Sequence, residues 1–249
     1  MRFFANVSYN GERYSGWQRQ PNAVTVQQIL EEAMTRACGC PIALTGAGRT
    51  DAGVSASGYF AHFDCPSPVK EPAQLLYKIN AILPADIVAN YIAAVADDAH
   101  ARFDATSRSY SYKVHTAKDP FAWHSFYCKF PLDVDAMNRA ADLLHGRRDF
   151  SCFEKTGADN KTSVCNISHA RWSAADATHL QFDITADRFL RNMVRAIVGT
   201  LIDVGRGKMA PEDIPALLEK GDRSAAGQSV PGEPLLLREI TYPYPLLPL

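Results

Sequence analysis

The most constraining feature of this sequence is a glycine-rich stretch, Gly46-Ala-Gly48-Arg49-Thr50-Asp51-Ala52-Gly53-Val54. Three glycines crowd an arginine and an aspartate into a backbone that needs unusual torsions or close approach by another group. The apolar run at 59–63 predicts a buried strand directly after it. A loop of this kind can hold a reactive carboxylate, so Asp51 is a candidate catalytic residue. The alternative is an ordinary tight turn in which Asp51 bonds to its own backbone.

Composition sets the broad class of protein. The chain has 249 residues, of which 47% are hydrophobic, enough for a substantial core in one large domain or two ordinary ones. The formal net charge is −1, so any binding of nucleic acid must use local clusters of arginine. No apolar run approaches the ~20 residues of a membrane helix, and the first residues do not continue as a signal peptide would. We therefore expect a cytoplasmic globular protein.

The cysteines argue against a metal site. Six of them are spread along the chain without the density of a disulfide framework, so we expect free thiols. Cys38-Gly-Cys40 lacks the spacing of the usual zinc knuckle, and His62-Phe-Asp-Cys65 has no partner pair at a recognisable distance. The sequence therefore predicts no metal.

Hydrophobic periodicity predicts an α+β fold. Residues 2–9 alternate as a strand, and Thr25-Val-Gln-Gln28 is typical of a capping box that begins a helix over 26–38. The order of strand, helix and strands then repeats along the chain. We therefore predict two similar α+β halves, 1–105 and 106–249, with antiparallel sheets joined around a central cleft and helices on the outer faces.

A basic helix is predicted in the second half. Asp187 is a candidate N-cap for a long, largely apolar helix over 188–204. On that helix Arg188, Arg191 and Arg195 would form one ridge, at i, i+3 and i+7. A basic ridge on a buried helix needs carboxylates or phosphates to face it. The alternative is a solvated face with structural salt bridges.

Two segments contain aromatic residues: the first is a candidate for lining a polar groove, and the second predicts a strand. Residues 14–22 contain Trp17 and Arg19, which would line a polar groove or, alternatively, belong to a loop that Trp17 anchors in the core. Residues 108–114 alternate with period 2, which places Tyr110 on one face of a strand.

Further motifs follow one another along the chain. They are Tyr9-Asn-Gly-x-x-Tyr14-x-Gly-Trp17-Gln18-x-Gln20-x-Asn22-x-x-Thr25-Val-Gln27, Asn80-Ala-Ile-Leu83-Pro84-Ala-Asp86-Ile87, Ala101-Arg102-Phe103, Arg108-x-Tyr110-x-Tyr112, Asp149-Phe150-x-x-Phe153, and Phe189-Leu190-x-Asn192-Met193-Val194-Arg195 with Gly199. Together with the Asp51 motif and Ala61-His62-Phe63, this series resembles the TruA family of tRNA pseudouridine synthases over nearly the whole chain. Two positions depart from the family pattern: Ser55, where the family often has His, and Cys165, near where many members carry Arg.

The resemblance implies that uridine is isomerised to pseudouridine in the anticodon stem-loop of tRNA, at about positions 38 to 40. It implies a homodimer that uses no cofactor or metal. Breaking the N1–C1′ bond and rejoining the base through C5 needs a nucleophile, or a carboxylate beside an oxocarbenium-like centre, and ionised Asp51 can serve either way. Attack on the sugar and attack on the base both remain open.

The resemblance also implies partners for Asp51. Arg195, or alternatively Arg49, would pair with Asp51 in a desolvated pocket and keep it ionised. Tyr110 would stack on the target uracil, and its hydroxyl is a candidate for proton transfer at C5. The alternative for Tyr110 is a core aromatic on the face of the sheet.

A paired or stacked target base must be extruded at a cost of a few kcal/mol, which phosphate contacts must offset. The basic residues expected to line the RNA path are Arg13, Arg19, Arg102, Arg188, Arg191, Arg206 and Lys208. Two other classes of protein stay open. The intact Asp51 motif disfavours a non-catalytic RNA-binding protein, and the lack of a second catalytic acid in that motif disfavours a carboxylate-dependent hydrolase of nucleosides or sugars.

Overall fold

The structure is a computed structural model that describes residues 1–66, 71–157 and 160–249. These residues form two compact units: Met1–Thr106 with Leu237–Leu249, and Ser107–Leu236. The C-terminal residues therefore return to the first unit, which no periodicity in the sequence indicated.

The first unit combines an antiparallel sheet with two helices. Its elements are β1 (Arg2–Tyr9), α1 (Val26–Cys38), β2 (Thr45–Gly46), β3 (Ser55–Asp64), α2 (Pro72–Ile82), β4 (Ile87–Val95) and the part of β10 (Leu235–Thr241) from Leu237 onward. The main strands follow the order β4–β1–β3–β10, and β1 is antiparallel to both β3 and β4. Helix α1 packs against α2, and α2 packs against β4.

Helix α1 begins at the predicted cap. The Thr25 side chain accepts a hydrogen bond from the N–H of Gln28, and Gly39, with φ 69°, ends the helix in the left-handed region. The buried face of the helix consists of Val26, Leu30, Ala33 and Met34. Burying each of the larger of these side chains contributes about 1.5–3 kcal/mol. The prediction of a helix over 26–38 is confirmed.

The second unit has the same kinds of element. They are β5 (Ser107–His115), β6 (Phe126–Tyr127), α3 (Val134–Asp142), β7 (Gly146–Asp149), β8 (Val164–Ala174), β9 (His179–Ala186), α4 (Met193–Gly205) and α5 (Ile214–Lys220). The strand order is β5–β9–β8–β7 with antiparallel pairing, and the short β6 pairs with β5 in parallel. Helix α3 packs against α4 and β8. The predicted α+β class is confirmed.

The prediction of a helix that starts at residue 188 is wrong. Helix α4 begins only at Met193. The residue before it, Asn192, has φ 68°, in the left-handed region that asparagine tolerates better than most residues and that interrupts a right-handed helix. The apolar spacing that suggested a longer helix continues across this break.

Asp187 has a different role from the predicted helix cap. Its carboxylate accepts hydrogen bonds from the backbone N–H groups of Asn166 (2.8 Å) and Arg188 (2.7 Å), at the end of β9. Arg188 and Arg191 therefore lie outside α4, and only Arg195 lies on it. The predicted ridge of three arginines on one helix does not form.

All six cysteines are free thiols, as the sequence predicted. Within residues 1–66, 71–157 and 160–249, the structure contains no helix both long and apolar enough to cross a membrane.

Candidate catalytic loop and its supports

The loop that carries Asp51 is a tight turn. The N–H of Val54 donates to the carbonyl oxygen of Asp51 (3.2 Å), and Gly53 between them has φ 80°, as in a type II turn. Asp51 is half-buried, and Arg49 is exposed. A turn at Asp51 is thus present, and the contacts that other segments make with it decide whether its position is fixed.

A second segment, residues 11–17, is hydrogen-bonded to this turn. The N–H of Gly53 donates to the carbonyl oxygen of Tyr14 (3.2 Å), and the N–H of Trp17 donates to that of Thr50 (3.3 Å). These two bonds join backbone to backbone on either side of Asp51. Hydrogen bonds from residues 11–17 therefore stabilise the turn in addition to its own hydrogen bond.

Two glycines allow the backbones to approach so closely. Gly16 has φ 84°, and a Cβ at this position would lie 2.3 Å from the carbonyl oxygen of Thr50. A Cβ at Gly11 would lie 2.1 Å from the carbonyl oxygen of Val54. No side chain fits at such distances, so residues 11–17 can pack against the turn only because positions 11 and 16 are glycine. We call residues 11–17 the glycine seat.

An aromatic cluster supports the loop from inside. The hydroxyl of Tyr59 donates to the carbonyl oxygen of Gly48 and accepts from its N–H, and the ring of Tyr59 lies 4.0 Å from that of Trp17. The hydroxyls of Tyr9 and Thr50 are 3.0 Å apart. Trp17 is only 2% exposed. Trp17 therefore anchors the loop in the core, which was the alternative to its lining a polar groove.

Ser55 and Cys165, the two residues that depart from the family pattern, both have structural roles in this chain. The Oγ of Ser55 accepts a hydrogen bond from the N–H of Gly11 (3.0 Å), so Ser55 fastens the glycine seat. Cys165 is fully buried on β8, and burial raises the pKa of its thiol to about 12. The thiol is therefore neutral at physiological pH and packs as a small apolar group.

His62, on β3, is buried and neutral. Its Nδ1 accepts a hydrogen bond from the N–H of Ala101 (3.1 Å), so that nitrogen carries no proton. Burial, and then the nearby His100 and Arg2, lower the pKa of His62 to about 4. His62, the histidine of the Ala-His-Phe motif, therefore has a structural role in the first unit.

We expect His62 to make the folded protein less stable as the pH falls from 6.5 toward 4. In that range the unfolded chain binds a proton on His62 and the folded protein does not. The contribution of His62 to the free energy of unfolding is therefore complete above pH 6.5. It declines below that pH, by at most roughly 3 kcal/mol. His62→Asn keeps an acceptor near Nδ1 but does not titrate, so it should flatten the pH dependence of the unfolding free energy in urea. Equal slopes for the parent and His62→Asn would contradict the assignment.

Arg195 lies on the first turn of α4 and is held by residue 230. Its Nε–H donates to the carbonyl oxygen of Val230 (2.7 Å), and the N–H of Val230 donates to the carbonyl oxygen of Arg195 (3.2 Å). Beside them, the fully buried Tyr112 donates its hydroxyl to the carbonyl oxygen of Pro231 (3.1 Å). Burial raises the pKa of Tyr112 far above its ordinary value, so this hydroxyl stays protonated.

Tyr110 lies two residues before Tyr112 on β5 and is only half-buried. Its ring meets the ring of Phe189 edge-on, with 5.3 Å between centroids and 88° between planes. Phe189 thus packs against the ring of Tyr110 at a right angle.

In the first unit, two of the predicted RNA-binding residues form ion pairs with carboxylates. Arg13 lies 3.3 Å from a carboxylate oxygen of Asp86, and Arg19 lies 3.2 Å from one of Glu31. Both arginines are more than half exposed. Asp86 and Glu31 are only 16% and 12% exposed, so each pair joins a solvent-facing arginine to a largely buried carboxylate.

In the second unit, Arg206 and Lys208 share one carboxylate. They lie 3.8 Å and 3.3 Å from Asp203, and the guanidinium of Arg206 stacks 3.8 Å from the ring centroid of Phe130. These two residues form a small basic cluster after the end of α4.

The other predicted arginines differ in their contacts. Arg102 is exposed and lies 5.8 Å from the ring centroid of Phe103, and Arg191 is also exposed. Arg188 is half-buried and donates to the carbonyl oxygen of Thr162 (3.1 Å).

Among the residues that the structure describes, no group of three or more His, Cys, Asp or Glu side chains is arranged to hold a metal ion.

The chain is thus an α+β protein that presents an aspartate on a glycine-seated turn. A sequence model of the family described as tRNA pseudouridine synthase matches residues 5–104 and 140–243. The chain is 49% identical to tRNA pseudouridine synthase A of Parabacteroides distasonis, over 99% of this chain and 98% of that protein. It is 50% identical to tRNA pseudouridine synthase A of Porphyromonas gingivalis, over 97% of each chain. The chain therefore belongs to the tRNA pseudouridine synthase family.

Membership of this family confirms two of the predictions. The resemblance drawn from the ordered motifs is correct, and the chain is an enzyme of the isomerase class that converts uridine to pseudouridine in tRNA.

Proposed function

We propose that this enzyme modifies uridines in the anticodon stem-loop of tRNA, at about positions 38 to 40, with Asp51 as the nucleophile. The observation that best supports the role of Asp51 is its seat: backbone contacts from residues 11–17 fix the turn, and the carboxylate is half-buried. A nucleophile gains most from a fixed position, because alignment removes much of the entropic barrier to attack. The choice of stem-loop rests on the family resemblance.

In this proposal three further residues act at the target nucleotide. Arg195 pairs with Asp51, and Arg49 is the alternative partner. Tyr110 stacks on the uracil, which its half-buried ring on β5 supports. Its hydroxyl is the candidate group for proton transfer at C5.

The chemistry of the chain's own residues is sufficient for this reaction. Asp51 takes part in cleavage of the N1–C1′ bond, the detached base turns, and C5 forms the new bond to C1′. C5 loses its proton and N1 gains one, so the composition of the nucleotide is unchanged. No electrons are gained or lost, so no redox group is required. We propose that the enzyme works as a cytoplasmic homodimer without cofactor or metal.

The experiment that tests this function is chemical mapping of pseudouridine in tRNA after incubation with the purified protein. We expect new pseudouridine in the anticodon stem-loop and no change in the mass of the tRNA. Pseudouridine only at other positions would refute the proposed target site. A loss of mass would indicate hydrolysis instead.

Affinity for tRNA should fall steeply with salt, because a nearly neutral protein must bind phosphates through local arginines. Replacing both Arg188 and Arg191 by glutamine should reduce the slope of log K against log salt by about 1 for each lost phosphate contact. The control replaces Arg147 and Arg171, two exposed arginines on β7 and β8, which removes the same charge. If both double variants have the parental slope, the RNA does not pass the loop before α4.

The proposed pair of Asp51 and Arg195 can be tested by a double-mutant cycle. Removing one partner of a desolvated ion pair typically costs ~3–5 kcal/mol, because the other charge is left without compensation. Asp51→Asn and Arg195→Met should therefore destabilise the protein non-additively, with a coupling of at least about 1 kcal/mol in the free energy of unfolding. If the two effects add within ~0.5 kcal/mol, Asp51 and Arg195 are not paired, and Arg49 becomes the candidate partner. A second double-mutant cycle, with Asp51 and Arg49, is the matched comparison.

A further inference from the structure

Residues 226–231, here called the strap, lie directly against α4. A Cβ on Gly199 would stand 1.8 Å from the carbonyl oxygen of Gln228, and one on Gly227 would stand 2.7 Å from the Cα of Thr200. The N–H of Gly227 also donates to the hydroxyl of Thr200 (2.9 Å). The backbones of strap and helix therefore touch, and glycines on both sides make this contact possible.

Ser229 is the central anchor of the strap. Its Oγ accepts hydrogen bonds from the side-chain amide of Asn192 (2.6 Å) and from the guanidinium of Arg223 (2.9 Å). Arg223 also donates to the carbonyl oxygen of Gly227 (3.0 Å). Asn192 is the left-handed residue from which α4 starts. Ser229 thus joins the strap to the beginning of the helix.

The next residue of the strap, Val230, holds Arg195. Its carbonyl oxygen takes the Nε–H of Arg195, and its N–H bonds back to the carbonyl oxygen of the same residue. A guanidinium is planar, so fixing its Nε–H also fixes the direction of its two terminal nitrogens. Tyr112 keeps the following carbonyl, that of Pro231, in place from β5. The strap therefore constrains the orientation of the Arg195 guanidinium through the bond to Nε.

We propose that the strap, centred on Ser229, positions the guanidinium of Arg195 for the reaction, an inference that rests on the proposed role of Arg195 at the target nucleotide. Ser229 is a positioning residue, since it acts only through Val230 and Arg195. Misplacing a catalytic group by 1 Å can lower the rate by about 100-fold. Releasing the strap should therefore lower the rate of turnover more than the affinity for tRNA.

Ser229→Ala removes the hydroxyl, and Ser229→Thr keeps it. We expect Ser229→Ala to lower kcat by at least about tenfold with the KM for tRNA little changed, and Ser229→Thr to restore most of kcat. The matched control is Asn138→Ala in the same unit, which also removes two hydrogen bonds, to the backbone of Trp172 (2.8 and 3.2 Å). Asn138→Ala should lower thermal stability with kcat intact. Equal kcat values for Ser229→Ala and Asn138→Ala would overturn the proposal.

A measurement without tRNA separates this proposal from the proposed function. Hydrogen exchange of the Arg195 Nε–H, assigned by NMR through its loss in Arg195→Met, should be slow in the parent and in Ser229→Thr. It should be at least about tenfold faster in Ser229→Ala, because a hydrogen bond protects the proton. Unchanged exchange would overturn the positioning role whatever the activity.

Turnover by Arg195→Met decides which idea has failed if activity disagrees. If Arg195→Met is inactive and Ser229→Ala has parental kcat, the positioning role is wrong and the proposed function stands. If Arg195→Met has parental turnover, Arg195 has no role at the target nucleotide, and both that role and the positioning role of the strap are overturned, while the proposed target site and the role of Asp51 stand.

Discussion

Asp51→Asn is expected to abolish pseudouridine formation and to leave the fold and tRNA binding in place. The substitution removes the charge and the nucleophilic oxygen but little volume, and the turn keeps its bond from the N–H of Val54 to the backbone of residue 51. We expect turnover to fall by at least about 10³-fold, or ~4 kcal/mol in the barrier. Release of tritium from tRNA labelled at uridine C5 measures this loss, because that hydrogen leaves when C5 becomes the glycosidic carbon.

The control for this variant is Asp98→Asn. Asp98 is an exposed aspartate of the same unit, so its substitution removes the same charge away from the turn. It should retain full turnover, and both variants should bind tRNA with nearly parental Kd. If Asp51→Asn keeps turnover within about tenfold of the parent, or ~1.4 kcal/mol in the barrier, Asp51 is not the nucleophile.

The elements that could be predicted from the sequence are those with local signals. Thr25 and Gly39 lie at the two ends of α1, and both act through bonds within one helical turn of their own position. The strand Arg2–Tyr9 was likewise predicted from its own residues. The Asp51 turn was also predictable, because its glycines and its aspartate are neighbours in sequence.

The elements that could not be predicted depend on distant contacts. The apolar spacing of α4 runs on past Asn192, so periodicity alone did not reveal that the helix starts at Met193. The left-handed Asn192 is bonded to Ser229, far along the chain. Gly199 in the middle of an apolar helix was the one local hint that another backbone crosses there. Pattern alone does not say which segment that is.

The supports of the candidate site were hidden for the same reason. Trp17 was open to two interpretations, and only its contact with the ring of Tyr59 shows that it belongs to the core. Ser55 departs from the family pattern, yet its bond to Gly11 holds the seat on which the turn rests. A motif therefore indicates the candidate reactive residue, while the residues that support its loop are scattered through the first unit.

Gly16→Ala should lower both the stability of the protein and its turnover. The substitution carries two costs. A residue with a Cβ at φ 84° loses about 1–2 kcal/mol of stability, and the new Cβ would lie 2.3 Å from the carbonyl oxygen of Thr50, a backbone atom that can move only with the turn. Asp51 is the next residue after Thr50, so relief of the clash must shift the carboxylate. Because a shift of 1 Å can cost about 100-fold in rate, we expect at least that loss of kcat.

Gly39→Ala separates the two costs. Gly39 has φ 69° at the end of α1 in the same unit, and a Cβ there meets nothing within 4 Å. Its substitution should therefore cost only the strain of the left-handed backbone, about 1–2 kcal/mol in the free energy of unfolding, with full turnover. Gly16→Ala should be clearly less stable than Gly39→Ala in urea and should lose kcat as well. If the two variants match in both stability and turnover, the glycine seat does not position Asp51, and the turn holds its place through its own hydrogen bond.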